Sequence, residues 1–170
     1  MSRRYPGQAL PLLALMLPAL TLFTLVVIEV TNLWLEVALL EDALQQATRS
    51  AVQQIDYAAL ARNDQTLRGN RTCYAVTVQK PGQCAAIVNV AHQFLLTNLR
   101  TASLTDHDPV TIATAVRWTV LPKGGTCANV TTASPLLCAE LQPTLRGLFG
   151  LGTITPRIRA ADTIDRLGQP

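Results

Sequence analysis

The first third of the chain is dominated by one long hydrophobic run. Residues 9–28 form twenty consecutive uncharged positions, and a helix of that length spans about 30 Å, the hydrocarbon thickness of a bilayer. A signal peptide would have a shorter apolar region followed by a small-residue cleavage site. Here apolar residues continue to Leu40 without a convincing Ala-x-Ala end. The pattern therefore favours a retained transmembrane helix over residues 9–30, with a removed signal peptide as the alternative.

Beyond this span, apolar residues recur in steps of three and four, which is the spacing of one helix face. The positions concerned are Leu33, Val37, Leu40, Leu44, Ala47, Ala51, Ile55 and Ala59. Because no Gly or Pro interrupts residues 29–62, the pattern predicts one helix over residues 11–62, with residues 31–62 outside the membrane. We expect the stripe to be a core face for the downstream domain, although a partner-binding face would have the same spacing.

Three residues of the helix are candidates for membrane or partner contact: Pro18, Glu29 and Trp34. Pro18 lies deep enough in the span to kink the helix or loosen one turn. Glu29 has two interpretations, which stay open at this stage. Its carboxylate either marks the outer interface and reaches water, or pairs inside the membrane with a cation on a neighbouring subunit.

The remainder, residues 63–170, has mixed patterning. Alternating apolar residues predict strands at 74–78, 110–120 and 154–160, the last an edge strand because it contains Pro156. Helical spacing predicts a helix over 84–100, and "RGLFGLG" reads as an apolar loop folded back on the sheet. This order predicts an α+β domain with a small antiparallel sheet packed against helices.

The four cysteines form two pairs, each with ten residues in between: Cys73, Cys84, Cys127 and Cys138. Zinc sites usually use closer pairs, whereas disulfides are expected in an oxidising compartment. Three connectivities are possible. We favour Cys73–Cys84 and Cys127–Cys138, because each closes a short loop.

Composition and charge agree with a membrane protein of simple topology. Hydrophobic residues make up 49% and charged residues 15% of the 170 positions. Arg3 and Arg4 precede the span, which predicts a cytoplasmic tip (residues 1–8) and an extracytoplasmic C-terminal bulk. Aromatic residues are 5% and basic residues are dispersed, which argues against nucleic-acid binding. Catalytic, metal-ligand and phosphate-loop motifs are not found in the sequence, so we expect neither an enzyme nor a cofactor.

The N-terminal sequence resembles the TadE-like family of tight-adherence (Flp) pilus assembly proteins. Gly7 and Gln8, followed by Ala9, resemble the family's opening; Pro18 resembles its proline, and Glu29 its late glutamate. The resemblance implies a pilin-like architecture and a role as a minor pilin-like or assembly component, with lipid and other membrane or pilus subunits as partners.

One departure concerns processing at Gly7 and Gln8. Pseudopilins that are cut by a prepilin peptidase carry a glutamate five residues after the glycine, and here that residue is Leu12. A processed minor pilin and a permanently anchored relative therefore stay equally open. A different class of function is also compatible with the same helix: an accessory single-pass subunit of a large membrane complex, for example an energy-transducing one.

Overall fold

The computed structural model describes residues 9–54, 67, 71–102, 107–150 and 152–164. The architecture is mixed helix and sheet, as the sequence predicts, with a long apolar N-terminal helix and small antiparallel sheets. The helices are α1 (Ala9–Val52), α2 (Ala85–Thr101) and α3 (Pro109–Ala115), with a 3₁₀ turn at Gly82–Cys84. The strands are β1 (Cys73–Val76), β2 (Arg117–Leu121), β3 (Gly125–Cys127), β4 (Val130–Thr132), β5 (Leu136–Leu141), β6 (Leu145–Arg146), β7 (Thr153–Ile154) and β8 (Ile158–Thr163).

Helix α1 has 44 residues, a length of about 66 Å. It continues through Pro18 and ends at Val52, so the prediction of an unbroken helix to residue 62 is wrong. The chain leaves the helix in a tight turn, in which the Gln54 N–H donates to the Ala51 carbonyl at 3.0 Å, and such short bonds commonly close a last helical turn. Residues 55–62 lie outside the described part of the chain.

The two halves of α1 have different surroundings. From Leu13 to Ile28 nearly every side chain is exposed, and only 6% of the most apolar eighteen-residue window is buried. Three threonines in and just beyond this half, Thr21, Thr24 and Thr31, donate their hydroxyls to carbonyls four residues earlier at 2.8–2.9 Å, which satisfies these groups within the helix. The helix is long and apolar enough to cross a membrane by length and composition.

The second half of α1 carries the predicted stripe, and that stripe is a core face. Leu33, Leu40, Leu44, Ala47 and Ala51 are all buried, where they join α2 and the sheet in one hydrophobic cluster. The largest fully buried side chains of this cluster are Leu40, Leu44, Leu67, Ile87, Val88, Leu95, Leu99, Trp118, Leu137, Leu141 and Leu145. Helix α1 contacts α2, β5 and β8.

The main sheet has four strands in the order β1-β2-β5-β8, with every neighbouring pair antiparallel. Residues opposite one another share a face, so the ladder Trp118, Ala139 and Ala160 is buried on the inner side. The ladder Arg117, Glu140 and Arg159 lies on the outer side. Strand β8 is an edge strand, as predicted, but the single strand predicted over 154–160 is wrong: Ile154 belongs to β7, which pairs with β6, and β8 begins at Ile158, after Pro156.

Helix α2 confirms the helix predicted from the spacing of Ile87, Ala91, Leu95 and Leu99, all of which are buried. The strand predicted over 110–120 is half wrong: residues 109–115 form α3, and the strand begins at Arg117. The alternating apolar residues suggested a strand, but the two residues before them start a helix. Asp108 caps the helix through its side chain and Pro109 takes the first helical position, where a missing N–H costs nothing.

The disulfides join Cys73 to Cys84 and Cys127 to Cys138, the connectivity favoured from the sequence, with Cα–Cα distances of 6.4 and 6.3 Å. The first belongs to the main core cluster. The second ties the β3–β4 hairpin to the outer face of β5, over a smaller apolar cluster that contains Leu121 and Leu136.

Candidate functional site at the end of the apolar stretch

Glu29 lies where the apolar stretch of α1 meets the folded domain. It is four residues before Leu33 and seven before Glu36, so it belongs to the domain-facing side of the helix. Its exposed fraction is 4%, whereas its neighbours Ile28 and Val30 are exposed. A carboxylate at the edge of an apolar segment is therefore covered by protein on one side.

The covering element is a short hairpin from the far end of the sequence. Strands β6 and β7 pair Leu145 with Ile154 and Arg146 with Thr153. Between them, the tip loop (residues 147–150) lies against α1. The backbone N–H of Phe149 donates to the Glu29 Oε2 atom at 2.9 Å.

Gly147 allows this approach because it has no side chain. It is buried, and a methyl group at its Cα would overlap the Glu29 carboxylate. Two further backbone bonds shape the hairpin end: the Gly147 N–H donates to the Gly152 carbonyl at 3.2 Å, and the Gly150 N–H donates to the Gly147 carbonyl at 3.0 Å. Gly150 has a φ of 67°, a backbone conformation that favours glycine.

The two side chains at the end of the tip loop are apolar and exposed. Leu148 is 51% and Phe149 48% exposed. The Phe149 N–H bond joins the loop's tip to α1, and the expectation that the loop folds back on the sheet stays a prediction. The backbone of the loop turns inward to Glu29 while its side chains face outward.

The other predicted site residues are not drawn together here. Pro18 lies inside the exposed half of α1. Trp34 is 69% exposed, and at five residues beyond Glu29 it points roughly 140° around the helix. Gly7 and Gln8 lie outside the described residues. For Glu29, burial rules out the water-facing interpretation, and a pairing with a neighbouring subunit stays a prediction.

A second polar feature lies on the outer face of the main sheet. Glu140 forms a salt bridge with Arg157 and lies 4.0 Å from the Arg159 guanidinium, and Arg117 is its cross-strand neighbour. The hydrogen bond from Arg157 is the main reason that the pKa of Glu140 is lowered. An open depression of about 470 Å³ adjoins these groups, so the face is net positive and suited to electrostatic contact with an acidic surface.

Each of the two histidines has one ring nitrogen within hydrogen-bonding distance of a backbone carbonyl. The His92 Nδ1 atom lies 3.3 Å from the Ala113 carbonyl and the His107 Nε2 atom 2.9 Å from the Thr144 carbonyl. Among the described residues, no group of three or more His, Cys, Asp or Glu side chains could hold a metal ion. Comparison of the chain with protein-family models, curated proteins and solved structures finds no match.

Proposed function

We propose that the chain is a single-pass, membrane-anchored structural or assembly subunit, a minor pilin-like component of a tight-adherence pilus or a related secretion system. Its N-terminal tip lies in the cytoplasm and its disulfide-braced domain outside. The subunit acts by assembly: the span holds it in the membrane, and the outer domain presents surfaces to partners.

The observation that carries the proposal is the change of surroundings along α1. A helix of a soluble core would be buried over most of its apolar length, yet the half before Glu29 is exposed and the half after it is packed. Exposed apolar area of this extent is costly in water. A bilayer removes that cost. Because the helix is continuous, the same element that spans the membrane also packs into the core of the domain.

Two further features support an extracytoplasmic domain. Its four cysteines are paired, and disulfides persist in oxidising compartments. The sequence places Arg3 and Arg4 before the span and acids after it, the charge distribution of a cytoplasmic N-terminus. The pilus assignment itself rests on the resemblance of the N-terminal sequence.

A matched pair of variants tests the anchor. Leu20→Arg places a charge in the middle of the exposed half, where insertion is disfavoured by about 2.5–3.5 kcal/mol. Gln45→Arg places the same charge on the exposed side of the outer half. We expect the wild type and Gln45→Arg to resist alkaline extraction from membranes and Leu20→Arg to be partly extracted. Equal extraction of all three, or a mature chain that starts near residue 30, would contradict the anchor.

Cross-linking in intact cells followed by purification tests the assembly role. A pilus component should be recovered with a pilin, a platform protein or an assembly ATPase. Recovery with redox or light-harvesting subunits at fixed stoichiometry would instead support an accessory subunit of an energy-transducing complex.

A further inference from the structure

The tip loop (residues 147–150) has a position that the proposed function does not explain. The Phe149 N–H bond to Glu29 fixes the loop beside the last turn of the exposed apolar half of α1. In a membrane-anchored chain, the uncharged run that ends at Ile28 fills the hydrocarbon thickness. The loop therefore lies at the level where the hydrocarbon meets the headgroups.

We infer that Leu148 and Phe149 insert into the outer interface of the bilayer, next to the span, so that the domain is held on the membrane at a second point. The inference rests on the proposed membrane anchor. Its occupant is lipid rather than protein, because the Phe149 N–H bond to Glu29 places the exposed tip at the end of the uncharged stretch of α1, where Ile28 and Val30 on either side of Glu29 are also exposed and apolar.

The backbone of the tip is suited to this environment. Polar backbone groups near hydrocarbon need partners within the protein, and three N–H groups of the hairpin end have them: Gly147 to Gly152, Gly150 to Gly147 and Phe149 to Glu29. The same contact covers the Glu29 carboxylate, which would be costly against lipid. The bond between Phe149 and Glu29 therefore both covers the carboxylate and leaves the apolar side chains of the tip exposed.

The flanking residues have the polarity expected of an interface. From Gly147 to Ile154 the sequence has no charged residue, and Arg146 precedes it. Arg146 is exposed, and a guanidinium in this position can extend to lipid phosphates. Trp34, exposed on another side of α1, is of the residue type that is enriched at membrane interfaces.

The three phenylalanines of the chain provide a test with internal controls. Phe23 lies in the exposed half of α1, Phe149 in the tip loop and Phe94 on α2, and all three side chains are exposed. The full chain, labelled with fluorophenylalanine, is reconstituted into lipid nanodiscs, and fluorine NMR resonances are assigned with single Phe→Leu variants. Lipids with a nitroxide near the headgroup end of the acyl chain, or near its terminal methyl, are then added.

We expect the Phe149 resonance to be lost with the shallow nitroxide, the Phe23 resonance to be lost with the deep one, and the Phe94 resonance to be retained with both. Retention of Phe149 together with loss of Phe23 would overturn the inference while leaving the anchor intact, and this is also the result if a second protein covers the tip. Retention of both Phe23 and Phe149 would overturn the anchor and the inference together.

Discussion

The Glu29 carboxylate accepts the backbone N–H of Phe149 across 120 positions of sequence. This bond joins the end of the apolar half of α1 to a hairpin near the C-terminus. From residue 13 onward, Glu29 is the first buried position of α1, so the contact lies where the exposed half of the helix meets the folded domain. The packing of the stripe from Leu33 to Ala51 holds the domain on the helix, and the Glu29 contact marks the end of that packed region nearest to the apolar half.

Replacing Glu29 tests this role directly. Glu29→Ala removes the acceptor and leaves the Phe149 N–H without its charged partner, and hydrogen bonds to charged groups contribute about 1.5–3 kcal/mol. We expect the Phe149 amide to exchange with solvent roughly 10- to 100-fold faster. Glu29→Gln keeps a neutral acceptor, so about a five-fold acceleration is expected.

Hydrogen exchange of the full chain in detergent, followed by mass spectrometry of peptides that cover 145–154, makes the measurement. Peptides from α2 serve as the reference, since their amides are hydrogen-bonded within a helix that is distant in sequence from both Glu29 and the tip loop. Identical exchange of the tip in the wild type and Glu29→Ala would show that the bond does not hold the loop.

Gly147→Ala should have the same effect from the other side of the contact. The added methyl group overlaps the Glu29 carboxylate, so that side chain must turn away and release Phe149. Gly152→Ala is the matched control, because a methyl group there meets nothing within 4 Å. We expect faster exchange of the tip in Gly147→Ala and unchanged exchange in Gly152→Ala.

A double variant sharpens this prediction. If both changes act by breaking one bond, Glu29→Ala combined with Gly147→Ala should accelerate exchange no more than either change alone. Additive effects of the two substitutions would mean that Gly147 acts on the loop independently of the carboxylate.

The helices could be predicted where the buried side chains repeat with the spacing of one helix face. The stripe from Leu33 to Ala51 and the face of α2 each bury one side of a helix, so spacing alone identified them. Residues 110–116 misled because their apolar alternation resembles a strand, whereas Asp108 and Pro109 supply a helix start. The capping residues at the start determined that this segment is a helix, although its apolar residues alternate as in a strand. The Asp-Pro pair was the signal in the sequence that could have revealed the helix.

The Glu29 contact could not be predicted from patterning, because it is a tertiary relationship between distant segments. The sequence shows an acid at the end of the apolar span and a glycine-rich apolar loop near the C-terminus. The residue spacing in these two segments does not indicate that they contact each other. The nearest signal was the set of glycines in this apolar loop, one of which, Gly147, allows the close approach of the Glu29 carboxylate. The sheet order and the outer arginine face depend on pairing in the same way.

The two disulfides should differ in importance for stability. Each closes a loop of sequence separation 11, so chain entropy alone predicts about 2–3 kcal/mol for both. Cys73 and Cys84 are both buried in the main core, whereas Cys127 is half-buried on the peripheral hairpin. We expect Cys73→Ser with Cys84→Ser to lower the melting temperature more than Cys127→Ser with Cys138→Ser.

Thermal unfolding of the full chain in detergent compares these two double variants, and non-reducing peptide mapping of the wild type verifies the pairing. A larger loss for the hairpin pair would mean that the outer cluster, and not the main core, limits stability. Peptides linking Cys73 to Cys127 or Cys138 would contradict the pairing itself.

Asp108 should make the stability of α3 depend on pH. Its carboxylate accepts the Thr111 hydroxyl at 2.8 Å and the backbone N–H groups of Thr111 and Val110 at 3.1 and 3.3 Å. These bonds, with the Thr111 hydroxyl first, lower the pKa of Asp108 below its ordinary value of 3.8. Because the unfolded chain binds the proton more tightly, the stabilisation is complete above that value and is lost as the pH falls through the lower pKa of the folded state.

Asp108→Ala removes the cap, and we expect the melting temperature at neutral pH to fall by about 2–4 °C. Asp108→Asn keeps a capping oxygen and should lose less. On acidification below 3.8 the difference between the wild type and Asp108→Ala should shrink, while the difference between Asp108→Asn and Asp108→Ala stays constant, since neither variant titrates at this position. Melting curves of the three proteins at neutral and acidic pH make the comparison. A wild-type advantage that persists unchanged into acid would mean that the ionised carboxylate does not cap this helix.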